Sequence, residues 1–159
     1  MPLTTAQILL VRNDVIANPD LNAFPRSGDG YVGMATLYNL PAFPNWTVWK
    51  TSVTLAALGD AIDATELVGL TTGKLTQLQV LLGFGPINPS LTNRRAALDQ
   101  IFSASGGTLT RPALLALYKR LATRIEKLLS TGTGSDVVPA TLGFEGLLQA
   151  ADLAAVFDV

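Results

Sequence analysis

Between Thr110 and Ser130 the apolar residues Leu114, Leu117, Tyr118, Leu121, Ile125, Leu128 and Leu129 recur mainly at spacings of three and four. That recurrence places them on one stripe of a 3.6-residue helix, and such a stripe has to be buried against a neighbouring element. Thr110 is placed to accept hydrogen bonds from the free N–H groups of a first turn, and Pro112 sits where a helix tolerates proline. Lys119, Arg120, Thr123, Arg124 and Lys127 fall mainly between or opposite the stripe. The cations in the later turns suit the negative end of the helix dipole. The pattern predicts one long helix over about 110–130 as the centre of a mainly α fold, a small helical bundle.

The same logic sets the remaining elements. Thr4 and Thr5 precede Ile8, Leu9, Val11, Val15 and Ile16, which predicts a helix over 4–17 stopped by Asn18-Pro19-Asp20. Leu21 to Gly30 reads as an extended N-terminal loop, followed by a short helix from Tyr31 to Asn39 and extended chain from Pro41 to Asn45. Ser52 is placed to cap a helix reaching about Ile62. Thr71 or Thr72 opens another over 73–82, and a further helix covers 94–102 before a Gly/Ser loop at 103–108. Thr131-Gly-Thr-Gly-Ser135 reads as a flexible tract. Beyond it, 136–148 has the character of an extended arm with room for a short β-hairpin, and 149–159 of a terminal helix. The organisation expected is a helical domain over 1–130 and a tract with a C-terminal arm over 131–159.

Composition removes whole classes of chemistry. The chain of 159 residues contains neither cysteine nor histidine. A Ser-His-Asp triad, a Cys-His dyad, a His-based zinc site and a disulfide are therefore impossible within it. Charged residues make up 14% and apolar residues 48%, against about 25% charged in an ordinary soluble domain. No apolar run approaches the ~18 residues of a membrane span, and Met1 to Leu10 lacks the basic start of a signal peptide. A charge-poor chain of this kind has too little polar surface to cover itself and is expected to bury area against other subunits. The net charge of −1 gives no overall pull toward nucleic acid or an anionic membrane.

Local constellations are weak by comparison. The 131–135 tract lacks the lysine of a phosphate loop, and it leaves a helix instead of entering one. Asp60, Asp63 and Glu66 would share a helix face, where a hard cation is conceivable but a solvated acidic face is the default. Arg120, Arg124 and Lys127 would share another, solvated and paired with carboxylates such as Glu126 or Glu145, or turned toward DNA phosphates. Trp46 and Trp49 stand three apart, either anchoring a helix pair or forming an interface hot spot. Carboxylates such as Glu66, Glu126 and Glu145 leave formal room for a small glycan hydrolase, although spacing alone says nothing in its favour.

Several segments carry a resemblance in their order: Leu3-Thr-Thr-Ala-Gln7, Ala17-Asn-Pro-Asp-Leu21, Asn45-Trp-Thr-Val-Trp-Lys-Thr-Ser52, Asp63-Ala-Thr-Glu-Leu-Val-Gly-Leu-Thr-Thr72, Lys119-Arg-Leu-Ala-Thr-Arg-Ile-Glu-Lys127, and Thr131-Gly-Thr-Gly-Ser135 leading to Gly143-Phe-Glu-Gly146. Together they resemble a family of small proteins from the structural-gene clusters of tailed bacteriophages and prophages, over almost the whole chain. The resemblance implies a virion protein of the neck, made in the bacterial host cytoplasm. This is a head–tail connector that forms a homo-oligomeric ring of about six or twelve copies between portal and tail proteins, with DNA passing through. A capsid decoration or head-completion protein is the alternative. No catalytic residue, metal or cofactor is implied, and no membrane. Under this reading Trp46, Trp49, Phe144, Leu147 and Phe157 are the expected subunit contacts, while Arg120, Arg124 and Lys127 contact DNA non-specifically or form salt bridges.

Overall fold

The computed structural model describes residues 2–158 and is mainly helical. In chain order it contains α1 (Thr5–Ala17), α2 (Pro19–Asn22), α3 (Gly28–Asn39), β1 (Thr47–Trp49), α4 (Leu55–Ala61), α5 (Ala64–Val68), α6 (Thr72–Gly83) and α7 (Thr92–Ile101). A 3-10 turn (Ala104–Gly107) leads to α8 (Thr110–Leu117), β2 (Lys119–Leu121), α9 (Arg124–Leu128), β3 (Ser130–Thr131), β4 (Thr141–Leu142) and α10 (Ala150–Phe157). Among these described elements, no helix is long and apolar enough to cross a membrane.

The chain divides into two compact units. One combines Met1–Val48 with Leu121–Val159, and the other is Trp49–Arg120. In the first, α3 packs on α10 and α9, and α1 packs on α2 and α10. Their apolar faces meet in one core containing Val11, Val15, Leu21, Met34, Tyr38, Ile125, Leu129, Phe144, Leu148, Leu153 and Val156. Burial of each such large side chain is worth about 1.5–3 kcal/mol. α1 begins with a reciprocal cap: the Thr4 hydroxyl accepts the Gln7 N–H and the Gln7 side chain accepts the Thr4 N–H, satisfying two donors a helix start leaves open. The Gln7 amide then donates to Gly143 O at 2.7 Å. Asn39, the last residue of α3, clamps Leu148 by both its N–H and its carbonyl, each at 2.9 Å. The segment expected as a separate arm, 131–159, is thereby folded into this unit and supplies a third of its core.

A smaller cluster of Val48, Ala122 and Ala140, with Trp46 and Leu142 against it, completes the first unit. β3 pairs antiparallel with β4, Ser130 opposite Leu142 and Thr131 opposite Thr141. The hairpin therefore brackets the glycine tract, with one strand before it, and is not confined to 136–148. Gly134 has φ +62°, and a Cβ there would collide with the Trp46 indole. Glycine at this position serves both the left-handed backbone and the close approach of the ring.

The second unit packs α4 on α8 and α6 on α7, around Leu58, Leu70, Leu78, Leu81, Leu98, Ile101, Phe102, Leu114 and Tyr118. Val53 and Ile87 exchange two backbone hydrogen bonds of 2.7 and 2.9 Å, holding the loops ahead of α4 and after α6 together. Thr54, not Ser52, caps α4. Asp63 caps α5 by accepting from the N–H groups of Thr65 and Glu66.

The expected single helix over 110–130 is broken. Tyr118 ends α8, and the chain runs extended through β2 before α9 begins. The main-chain groups that would have closed helical turns there bond elsewhere: Lys50 N donates to Tyr118 O, and Ala122 N to Trp46 O, both at 2.8 Å. Thr123 and Glu126 form a second reciprocal cap that starts α9 anew. The apolar stripe is thus divided between two cores, with Leu114 and Tyr118 in one and Ile125 and Leu129 in the other.

Candidate functional site

The broken helix also separates the expected basic row. Arg120 lies on β2 in the second unit, whereas Arg124 and Lys127 lie on α9 in the first, so the three share no helix face. Arg124 lies 3.6 Å from the Asp14 carboxylate and 5.4 Å above the Tyr38 ring. Lys127 donates to Phe43 O at 3.2 Å and sits 5.2 Å above the Trp46 ring. Both cations have internal partners, Arg124 the Asp14 carboxylate and Lys127 the Phe43 carbonyl. They line a concavity of about 460 Å³ with Asp14, Asn18, Leu40 and Phe43. Beneath it the Tyr38 hydroxyl donates to Asp14 Oδ2 at 2.7 Å. Burial pushes the Tyr38 hydroxyl well above its ordinary titration range, Asp14 adds to the rise, and Arg124 opposes it.

The acidic triplet disperses as well. Asp60 is on α4, Asp63 caps α5, and Glu66 turns inward. Glu66 is 9% exposed. Its Oε1 accepts from the Thr108 hydroxyl and the Leu109 N–H, both at 2.9 Å, and its Oε2 accepts from the Thr110 N–H at 2.8 Å. Burial pushes its carboxyl up, but the hydrogen bonds from Leu109, Thr110 and Thr108 outweigh that and bring the pKa to about 2. A carboxylate held by several donors stays ionised and acts as a staple for the start of α8. Glu126 does similar work in the other unit, accepting from the N–H groups of Thr123 and Gly146. Among the described residues, no group of three or more acidic side chains is placed to hold a metal ion.

The expected interface residues divide by burial. Phe144 is a core residue and Leu147 is exposed. Phe157 is half-buried, stacked on Tyr31 at 6.1 Å, with Arg26 4.4 Å over its ring. Trp46 donates from Nε1 to the Ser130 hydroxyl at 2.9 Å and belongs to the first unit. Trp49 belongs to the second, so the two indoles anchor no common helix pair.

Trp49 leads to a feature that sequence spacing did not reveal. Within the 49–120 unit a concave pocket of about 630 Å³ is lined by Trp49, Arg95, Leu98, Asp99, Arg111, Pro112, Leu114, Leu115 and Tyr118, among others. Its walls come from α7, α8 and β1. Arg95 lies 4.0 Å over the Trp49 ring and is tied to the Pro89 carbonyl and Thr92 hydroxyl. Burial lowers its pKa from the usual guanidinium value. Arg111 pairs with Asp99 at 2.5 Å on the rim. The Tyr118 hydroxyl is buried with no hydrogen-bond partner among the described residues, and burial raises its pKa well above the ordinary phenol range. An apolar floor, a net positive rim and an unsatisfied polar group form a surface suited to an apolar side chain with acidic character nearby.

Large apolar side chains also stand in solvent in both units. Phe43 is 93% exposed, Val137 89%, Val68 85% and Phe84 67%. Comparison with protein-family models, curated proteins and solved structures gives no match.

Proposed function

We propose that the chain is a structural subunit of a tailed-phage particle, a neck or head–tail connector protein that closes into a ring between portal and tail. The observation that carries this reading is the surface just described. Phe43, Val68, Phe84 and Val137 are held out in water by a chain with only 14% charged residues, and a surface of that kind is relieved by burial against neighbours. The resemblance in segment order supplies the phage context. The absence of histidine and cysteine, together with Glu66 and Glu126 being occupied with main-chain donors, leaves assembly as the role its groups serve best. The partners are copies of itself, the portal protein and tail or neck proteins. Because Arg124 and Lys127 are bonded internally, any DNA contact in the channel is non-specific and secondary.

Copy number in purified virions tests the reading. Quantitative mass spectrometry is expected to find about six or twelve copies per particle, the number expected of a single neck ring. Hundreds would identify a shell decoration instead. A chain that is monomeric at high concentration and missing from virions ends the proposal.

A further inference from the structure

The pocket at Trp49 and Tyr118 lies wholly within the 49–120 unit and has a volume of about 630 Å³, inside the range of about 300–1,000 Å³ that holds small molecules. Trp49, Leu98, Pro112, Leu114 and Leu115 make its lining apolar. Two polar groups in that lining are left incompletely satisfied by the fold. The first is Arg95. Its guanidinium lies 4.0 Å over the Trp49 ring and donates to the Pro89 carbonyl and the Thr92 hydroxyl, which leaves further N–H donors over. No carboxylate pairs with it among the described residues; Asp99, one turn further along α7, is taken by Arg111. A half-buried cation without a counter-charge thus stands in an apolar wall, where an anion gains more from it than it would in water.

The second group is Tyr118. The residue is 4% exposed, and its hydroxyl is buried with no hydrogen-bond partner among the described residues. Folded chains seldom leave a buried hydroxyl unpaired, and an oxygen brought in by a ligand would remove that penalty.

We infer that this pocket binds a small apolar carboxylate, a free molecule with its tail on Leu98, Leu114 and Leu115, its carboxylate on Arg95, and an oxygen accepting from the Tyr118 hydroxyl. The cation selects against amines, and the apolar lining selects against sugars. A single uncompensated charge suits a monoanion better than a polyphosphate. The inference is independent of the ring reading, because every group it uses belongs to one copy.

Decanoate, decanol and decylammonium share a tail and differ in head group, so titrating each into the full chain tests the site. Decanoate is expected to shift the NMR amide signals of Trp49, Leu98, Leu115 and Tyr118. It should bind more tightly than decanol by about tenfold or more, with decylammonium weaker still. Arg95→Gln should bring decanoate down to the affinity of decanol, and Arg95→Lys should restore part of the difference. Tyr118→Phe should raise the melting temperature of the ligand-free chain, because the unpaired hydroxyl is gone, and weaken decanoate by about tenfold. Those opposite movements separate a binding group from a structural one. Equal affinity of the wild type for decanoate and decylammonium overturns the inference without any variant. A Tyr118→Phe chain less stable than the wild type overturns it too. So do decanoate shifts confined to the exposed Phe43, Val68 and Val137 and absent from the pocket.

Discussion

The two units reach closure by different routes. The 49–120 unit is one continuous stretch whose helices pair with near neighbours, α6 on α7 and α4 on α8. The other joins residues separated by most of the chain, through Gln7 to Gly143, Asn39 to Leu148, and α3 and α1 to α10. A continuous unit can form from local contacts, whereas a divided one has no core until its far segment arrives. Each uses a buried glutamate as a main-chain staple, Glu66 within a continuous run and Glu126 partly across to Gly146.

The largest effect expected from this contrast is on truncation. Ending the chain after Leu142 removes Phe144, Leu148, Leu153 and Val156 from the first core. Hydrogen exchange should show α1, α3 and α9 losing protection completely, while 49–120, made as a fragment, keeps its helical circular dichroism and a cooperative thermal transition. A fragment without such a transition would break the comparison. Next comes Phe144→Ala, expected to cost about 3–5 kcal/mol in denaturant unfolding of the first unit and to leave protection in α6 and α7 unchanged. Asn39→Ala strands the Leu148 N–H and carbonyl and should cost about 1–3 kcal/mol, again confined to the first unit.

The smallest effect is confined to acid. Glu66 has its pKa depressed from 4.5 to about 2, so its contribution is present above about pH 4.5 and is lost as pH falls toward 2. The denaturant midpoint of the 49–120 fragment should therefore drop over that range, and Glu66→Gln should flatten the slope. An unchanged slope in the variant would show that other carboxylates govern acid stability there.

Much of the helical content was legible because it rests on local signals. The caps at Thr4 and Thr71, the proline stop after Ala17 and the apolar spacing of 150–157 all act within a few residues. The 110–130 stripe misled because periodicity reports which faces are apolar, not whether the main chain stays helical between them. One local signal did mark the break: Thr123-Arg-Ile-Glu126 has the spacing of a capping box, set inside what otherwise reads as one helix. The rest was out of reach of spacing. The pairing of 118–122 with 46–50 joins segments some seventy residues apart, and strand formation there depends on that tertiary context more than on local propensity. The pocket was invisible for the same reason, since Trp49, Arg95 and Tyr118 converge from distant positions. Of the expected contact residues, Phe144 is spent on the core, and the exposed Val137 carried no sequence signal distinguishing it from a buried valine.

The hydrogen bond from Ala122 N to Trp46 O fixes the two cut ends of the divided unit side by side. Everything from Trp49 to Arg120 is thus a cassette, entering and leaving through one doorway in its host. A short turn grafted between Val48 and Leu121 would reseal that doorway, and the shortened chain would keep every residue of the first unit's core.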